Sequence, residues 1–464
     1  MISRFFILRS KKMNREIKEN KMETMPMGHL ILDMSLPMMF SLLIQSLYNI
    51  VDSIFVARIS ETALTATSLA YPVQMLMISV GVGSAVGLNV ILSKALGAGK
   101  KEEVSNLAVT GVLVAVFWGL LFGVCGLVFS GVLASLFTGN AEIAAACREY
   151  LFICTTFSLG NMVCMTYQRL MQATGKTTLS MVILICGAVT NIILDPIMIF
   201  GLLGCPAMGI RGAAIATVIG QWVSMIVGIV LQKYCNREIQ MKLTGFKLQW
   251  KYIRMIYKVG LPTIIMQAMQ SMMVTCFNGI LQSFSTTAVA FFGVYYKLQT
   301  FLFMPMNGLG QAAIPIIGFN YGAKNKGRVE ECIKLLYPAA VGIALVGAVV
   351  FFAVPGGLLT MFSASEDMLV IGIGAIRIMA PTFILAAISM MAGYIASGLQ
   401  DGNTNMVCAF LRQFVPLIPC AWLLGRCFGS NAVWFAFWIS ETVGVVYAIY
   451  RVKKDRCEKL DNLS

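Results

Sequence analysis

Along almost the whole chain, apolar runs close to ~20 residues alternate with short polar segments, and none shows the every-second-residue alternation of barrel strands. In lipid each crossing segment must satisfy its own backbone N–H and C=O groups, so runs of this length predict membrane-spanning helices. The pattern predicts about twelve spans, some unusually long, centred near Leu43, Gly81, Leu113, Phe157, Ile192, Thr217, Met272, Asn307, Ala344, Leu385, Pro416 and Phe437. The expected fold class is therefore an all-α polytopic membrane protein.

An internal repeat organises these spans. Leu36-Pro37 recurs as Leu261-Pro262, Gln45 as Gln270, Gln74 as Gln299, Gly97-Ala98 as Gly322-Ala323 and Phe137 as Phe362, all at one offset of 225 residues. The chain divides accordingly into a tail at 1–29, a six-helix bundle at 30–232, a basic linker at 233–258, a second six-helix bundle at 259–450 and a tail at 451–464. An even number of spans per half makes the halves parallel, pseudo-symmetric about an axis along the membrane normal. That is a common plan of secondary transporters, which hold substrate in a central cavity between the halves.

Composition agrees: 58% of the 464 residues are hydrophobic and 12% charged, with mean hydropathy +0.80. Basic residues fix orientation. Arg4, Arg9, Lys11, Lys12, Arg15, Lys18 and Lys21 crowd the first tail, Lys94, Lys100 and Lys101 follow span 2, and seven more run from Lys233 to Lys258. Lys324, Lys326 and Arg328 follow span 8, and Arg451, Lys453, Lys454, Arg456 and Lys459 mark the last tail. The loops near Thr62, Asn140, Ser285 and Asp367 carry few basic residues, so both termini are expected in the cytoplasm of a multi-pass protein. The formal charge of +14 is thereby topological, and no nucleic-acid partner is expected. Phe5-Phe6-Ile7-Leu8 is too short for a cleaved signal peptide. Thirteen cysteines without a CxxC and a single histidine, His29, offer no metal or nucleophile constellation, so neither an enzyme nor a resident metal is expected.

Within the spans, Asp52 and Asp195 are the informative residues. A carboxylate in hydrocarbon costs at least ~2.5–3.5 kcal/mol, so such groups face a wet cavity, find a partner and act. The alternative places both at the aqueous ends of their helices, or in salt bridges with Arg58 and Arg211. Asn191 lies one turn before Asp195 on the same helix face, where its amide can ligate a hard cation or hydrogen-bond a protonated aspartate. Gln45, Tyr48 and Asn49 share span 1 with Asp52, as cavity lining or as interhelical hydrogen-bonding groups. Gln270, Met273 and Asn307 are the matching cavity candidates of the second half, whose methionines suit either a repacking surface or a core. Lys297, Arg377, Arg412 and Glu441 give that half its own charges, without assignable partners. Pro37 and Pro262 are expected to open spans 1 and 7, and Pro305 and Pro315 to interrupt span 8.

Leu36-Pro37, Leu47-Tyr48-Asn49-Ile50-Val51-Asp52, Leu96-Gly97-Ala98-Gly99, Gln172-Ala173-Thr174-Gly175, Asn191 through Pro196 and Gly212 through Thr217 together resemble the multidrug and toxic compound extrusion (MATE) exporters. Pro305 through Gln311 and Gly318 through Ala323, with Arg328, resemble the MepA-like part of the DinF branch. The resemblance implies a monomeric antiporter in a prokaryotic plasma membrane. It would export cationic or amphipathic small molecules against protons or sodium, with no cofactor beyond the coupling ion. It assigns Asp52, Asn191, Asp195 and Thr217, with Tyr150 beside them, to the cation site, Pro37 to a kink that acts as a hinge, and Gln45 and Tyr48 to the drug cavity. A second-half cation site is not implied, because Phe277 stands where the repeat would place an acid. The competing functions are a lipid-linked glycan flippase of the same superfamily, favoured if Lys297, Arg377 and Arg412 line the cavity, or an exporter of one metabolite.

Overall fold

The computed structural model describes residues 20–242, 246–362 and 365–461. The basic residues Arg4 to Lys18 and the apolar stretch Phe5–Leu8 lie outside the described residues. Among the described residues there is helix and no strand, as hydrocarbon requires. Span 1 is Met27–Ala57, span 2 Glu61–Gly97, span 3 Lys101–Phe137, span 5 Thr177–Phe200 and span 6 Ile210–Cys235. In the second half span 7 is Trp250–Gln282, span 8 Thr286–Gly322, span 9 Lys326–Ala353, span 11 Gly402–Phe428 and span 12 Ser430–Leu460.

Spans 4 and 10 are each broken in two. Span 10 is Glu366–Met379 followed by Thr382–Gly398 at a 52° bend. Its counterpart is Ala141–Thr156 followed by Leu159–Ala173, so the expected centre at Phe157 falls on the break itself. Each break frees backbone carbonyls, and in both a tryptophan from a neighbouring span supplies the donor. Trp222 Nε1 donates to the Phe157 carbonyl at 3.1 Å, and Trp438 Nε1 to that of Ile378 at 2.7 Å. Arg148, Glu149 and Arg169 dilute the apolar character of span 4, which completes the twelve expected spans.

The constant offset is visible in the boundaries: Glu61–Gly97 maps onto Thr286–Gly322, and Ala141–Ala173 onto Glu366–Gly398. Two proline expectations are corrected. Pro37 and Pro262 lie inside spans 1 and 7 rather than at their starts, and span 8 runs unbroken through Pro305 and Pro315. At Pro37 the Asp33 carbonyl that loses its helical donor accepts the Thr177 hydroxyl at 3.5 Å. Span 7 begins at Trp250, so the end of the segment read as linker is helix.

The two bundles meet through spans 1 and 2 of one and 7 and 8 of the other. Lipid offers no hydrophobic drive for this contact, so close approach relies on small residues. A Cβ on Gly97 would lie 1.9 Å from the Phe319 carbonyl oxygen, and one on Gly322 2.1 Å from that of Lys94. Deeper in, Gly83 would meet Ile264 at 2.3 Å and Gly308 would meet Met39 at 2.6 Å. The offset maps each contact onto its twin, so the closure is self-complementary like a two-fold dimer interface. All four glycines lie between the middle of their spans and the end rich in lysine and arginine. At that end Lys94 Nζ also donates to Gln400 Oε1 at 2.8 Å across the bundles. Toward the opposite end a groove of ≈ 490 Å³ separates Asn49, Ser53, Ala57 and Leu64 from Lys297. The bundles are therefore shut at the basic end and parted at the other.

Leucine at Gly97 cannot fit this closure and should hold the basic end open. Spin labels on Glu102→Cys and Gly327→Cys in a cysteine-free background should move apart by several ångströms in Gly97→Leu, measured by double electron–electron resonance. An unchanged distance distribution would mean that this contact does not set the closure.

Candidate functional site

In the first bundle Asp195 is fully buried (0% exposed) and Asn191 is 2% exposed, both on span 5. Asn191 Nδ2 lies 3.2 Å from Asp195 Oδ1 and 3.4 Å from Thr217 Oγ1 of span 6. The Asp52 carboxyl of span 1 lies within electrostatic reach of that of Asp195. Two neighbouring carboxyls favour a shared proton or a bound cation, because both cannot carry an uncompensated charge. Tyr48, Tyr150 and Cys154 lie close enough to Asp52 for direct electrostatic interaction, and Gln74 Nε2 donates to the Tyr150 hydroxyl at 3.3 Å. Asp52, Asn191, Asp195, Thr217 and Tyr150 are thus one cluster.

Both aspartates stand in the last two turns of their helices, before the ends at Ala57 and Phe200, so Asp52 is less deep than its position in the apolar run implied. The salt-bridge alternative does not describe them. Arg211 pairs with Glu149, through Nε at 2.7 Å and Nη2 at 2.5 Å, and Arg58 is exposed and forms no ion pair with Asp52. Two oxygens of the cluster, Asn191 Oδ1 and Asp195 Oδ2, are buried with no hydrogen-bond partner among the described residues. A buried acceptor left so is destabilising by ~1–3 kcal/mol, more if charged, unless a proton or cation completes it.

Beside this cluster a cavity of ≈ 530 Å³ lies between the bundles. Gln45, Tyr48, Gln270 and Asn307 line it, as do Asn191 and Thr217, which form the wall between cavity and carboxyl pair. Two cavity candidates belong elsewhere. Asn49 is on the neighbouring groove with Lys297, because it is turned from Tyr48 by one residue of helix. Met273 is 5% exposed in the core of the second bundle. Pro37 lies in unbroken helix, and the next residue, Met38, lines the cavity.

Sequence reading missed Arg169 and Tyr394. Both line the cavity, and they occupy equivalent positions in the repeat, which is the signal that pairs them. Of the four charges singled out in the second half, Arg412 alone lines the cavity; its Nε lies 3.1 Å from Glu441 Oε1, with side-chain exposures of 9% and 8%. Lys297 is exposed on the groove, and Arg377 is exposed beside the Phe352 ring, 6.0 Å from its centroid. No carboxylate lines the cavity among the described residues.

The second bundle has no copy of the acid cluster. Phe277 takes the place of Asp52, Cys420 of Asp195, Pro416 of Asn191, Met273 of Tyr48 and Ala375 of Tyr150. Phe277 is fully buried (0% exposed), with ring centroids 4.6 Å from Phe292 and 5.4 Å from Phe437. The carboxyl site is closed there by an aromatic core.

Twelve spans in two duplicated bundles, a polar cavity between them and a carboxyl pair beside it define a multi-pass membrane transporter. The chain belongs to the MatE family, whose profile matches it twice, over residues 37–197 and 262–423, beginning at the repeat partners Pro37 and Pro262. It is 27% identical over 428 residues to the probable multidrug resistance protein NorM of Thermotoga maritima, covering 90% of this chain and 89% of that one. It is 27% identical over 427 residues to the multidrug export protein MepA of Staphylococcus haemolyticus, covering 90% and 91%. Among solved structures, a MOP superfamily transporter from Pyrococcus furiosus superposes with TM-score 0.87 at 22% identity, over 96% of this chain and all of that one. An outward-facing MATE family transporter gives 0.86 at 22% identity, over 95% of this chain and 99% of that one.

The Arg412–Glu441 pair yields a stability prediction. Arg412→Ala leaves a buried carboxylate unpaired and should lower unfolding stability by roughly 3–5 kcal/mol, whereas Arg412→Gln with Glu441→Gln should recover most of it. Thermal melting in detergent measures both; equal melting of the single and double variants would show that the pair is not coupled.

Proposed function

We propose that this MatE-family transporter is a secondary active multidrug exporter, in which a proton or sodium ion on the Asp52–Asp195 cluster drives efflux of amphipathic organic compounds through the cavity. The observation that carries the reading is the pair of buried oxygens without a hydrogen-bond partner among the described residues, Asn191 Oδ1 and Asp195 Oδ2, in a cluster that includes a second carboxyl. Such a site favours the bundle with a cation or proton present and penalises it empty. Asn191 and Thr217, shared between cluster and cavity wall, are the means by which ion occupancy alters the cavity.

Parted at one end and shut at the other, the bundles fit one limb of alternating access. With the basic end and both termini in the cytoplasm of a prokaryotic plasma membrane, the open end faces outward and the protein acts as a monomer. Pro37, beside the cavity, is the hinge of span 1. The amphipathic part of the expected substrate class suits a wall that mixes amides with Met38, Leu42 and Met266, while among the described residues no acidic side chain lines it to draw a cation. Arg412 on the wall favours a lipid-linked glycan flippase as the second reading; Lys297 and Arg377 lie off the cavity and do not add to it.

In proteoliposomes, a panel of amphipathic dyes of either charge should include some that wild-type protein moves under an imposed sodium or proton gradient. Asp195→Asn should reduce that movement to the level of empty vesicles. Gradient-driven movement that survives Asp195→Asn, or no movement of any dye under either gradient, would overturn the proposal.

A further inference from the structure

The cavity's charge does not match that of an organic cation. Its wall carries two ionised side chains, Arg169 from the first bundle and Arg412 from the second, and neither Asp nor Glu among the described residues. Their states differ. Arg412 is compensated by Glu441 at 3.1 Å, whereas Arg169 enters no ion pair among the described residues and bonds through Nη1 to Gln172 Oε1 at 2.8 Å. The Gln172 amide is itself fixed, donating through Nε2 to Ser180 Oγ at 2.9 Å, so its oxygen is held toward the guanidinium. Tyr394 lies within electrostatic reach of both arginines and donates its hydroxyl to Asn307 Oδ1 at 2.8 Å.

A guanidinium facing a cavity inside the protein, with no ion-pair partner among the described residues, is expensive to keep unless a ligand compensates it. Its planar fork matches the two oxygens of a carboxylate, phosphate or sulfonate. We propose that Arg169, assisted by Arg412 and Tyr394, is an oxyanion-binding floor of the cavity, and that this exporter selects amphipathic organic anions or zwitterions over cations. The anion sits at the arginines while its apolar body lies against Met38, Leu42 and Met266. The coupling cation stays apart from it, behind Asn191 and Thr217. The proposal rests on the exporter reading for transport but not for binding.

Binding is measured with purified full-length protein in neutral detergent at low salt, by fluorescence polarisation of two xanthene dyes of matched size, carboxyfluorescein and a cationic rhodamine. Wild-type protein should bind the anionic dye about tenfold or more tighter, a charge-assisted pair being worth that much. Arg169→Gln, which strands no carboxylate, should remove about that factor for the anionic dye and leave the cationic dye unchanged. Arg412→Gln with Glu441→Gln keeps local charge balanced and should weaken the anionic dye less. Short-chain phosphatidic acid and phenyl phosphate then compete for the site: stronger displacement by the first indicates a membrane-derived phosphate, by the second a soluble one, and displacement by neither overturns the oxyanion assignment. Tighter binding of the cationic dye also overturns it, as does unchanged anion affinity in an Arg169→Gln protein that elutes and melts like wild type. Gradient-driven, Asp195-dependent transport confined to cationic dyes would defeat this inference and leave the exporter standing. Arg169-dependent anion binding without transport of any dye would do the reverse.

Discussion

Hydrocarbon offers no hydrogen-bond partner, and the rest of the structure depends on that constraint. It accounts for the helical fold, for the tryptophan N–H groups that close the breaks in spans 4 and 10, and for glycine where two bundles must touch without a hydrophobic drive. It also makes exceptions informative. Among the described residues, Asn191 Oδ1 and Asp195 Oδ2 are buried without a hydrogen-bond partner and Arg169 has no ion-pair partner, which is why the two proposals above rest on these groups.

Duplication supplied a symmetric frame, and divergence assigned its tasks. The closure at the basic end keeps the symmetry, with Gly97 on Phe319 matched by Gly322 on Lys94. The interior loses it. Asp52 corresponds to Phe277, so one bundle retains a carboxyl site and the other a packed aromatic cluster. The second bundle contributes instead a neutralised pair, Arg412 with Glu441, at the cavity edge. The acid cluster is thereby confined to the first bundle, while residues of both bundles line the cavity.

Most of the fold was legible because its signals are long-range and redundant. A constant offset and twelve apolar runs survive errors of a few residues, and each expected centre falls within a span or on the break of one. Asp52, Asn191 and Asp195 stood out because intramembrane polarity is rare, whereas Thr217 was picked out only by the family resemblance. The direction each side chain takes was less legible. Asn49 and Met273 are one residue and one register away from cavity positions, and helical rotation of about 100° per residue sends them to a groove and a core. Arg169 was hidden because span 4 breaks, which lowers its apolar signal and makes a charge there look interfacial. The partners of Arg412 and Arg211 lie 29 and 62 residues away in sequence, beyond any local pattern.

The central claim is that ion and substrate are coupled through the wall formed by Asn191 and Thr217. Proton release and sodium-22 displacement on adding a transported dye to weakly buffered, purified protein test it directly. The account predicts that dye binding expels protons or bound sodium from wild-type protein and neither from Asp195→Asn. Dye binding that leaves both ions in place in the wild type would contradict it.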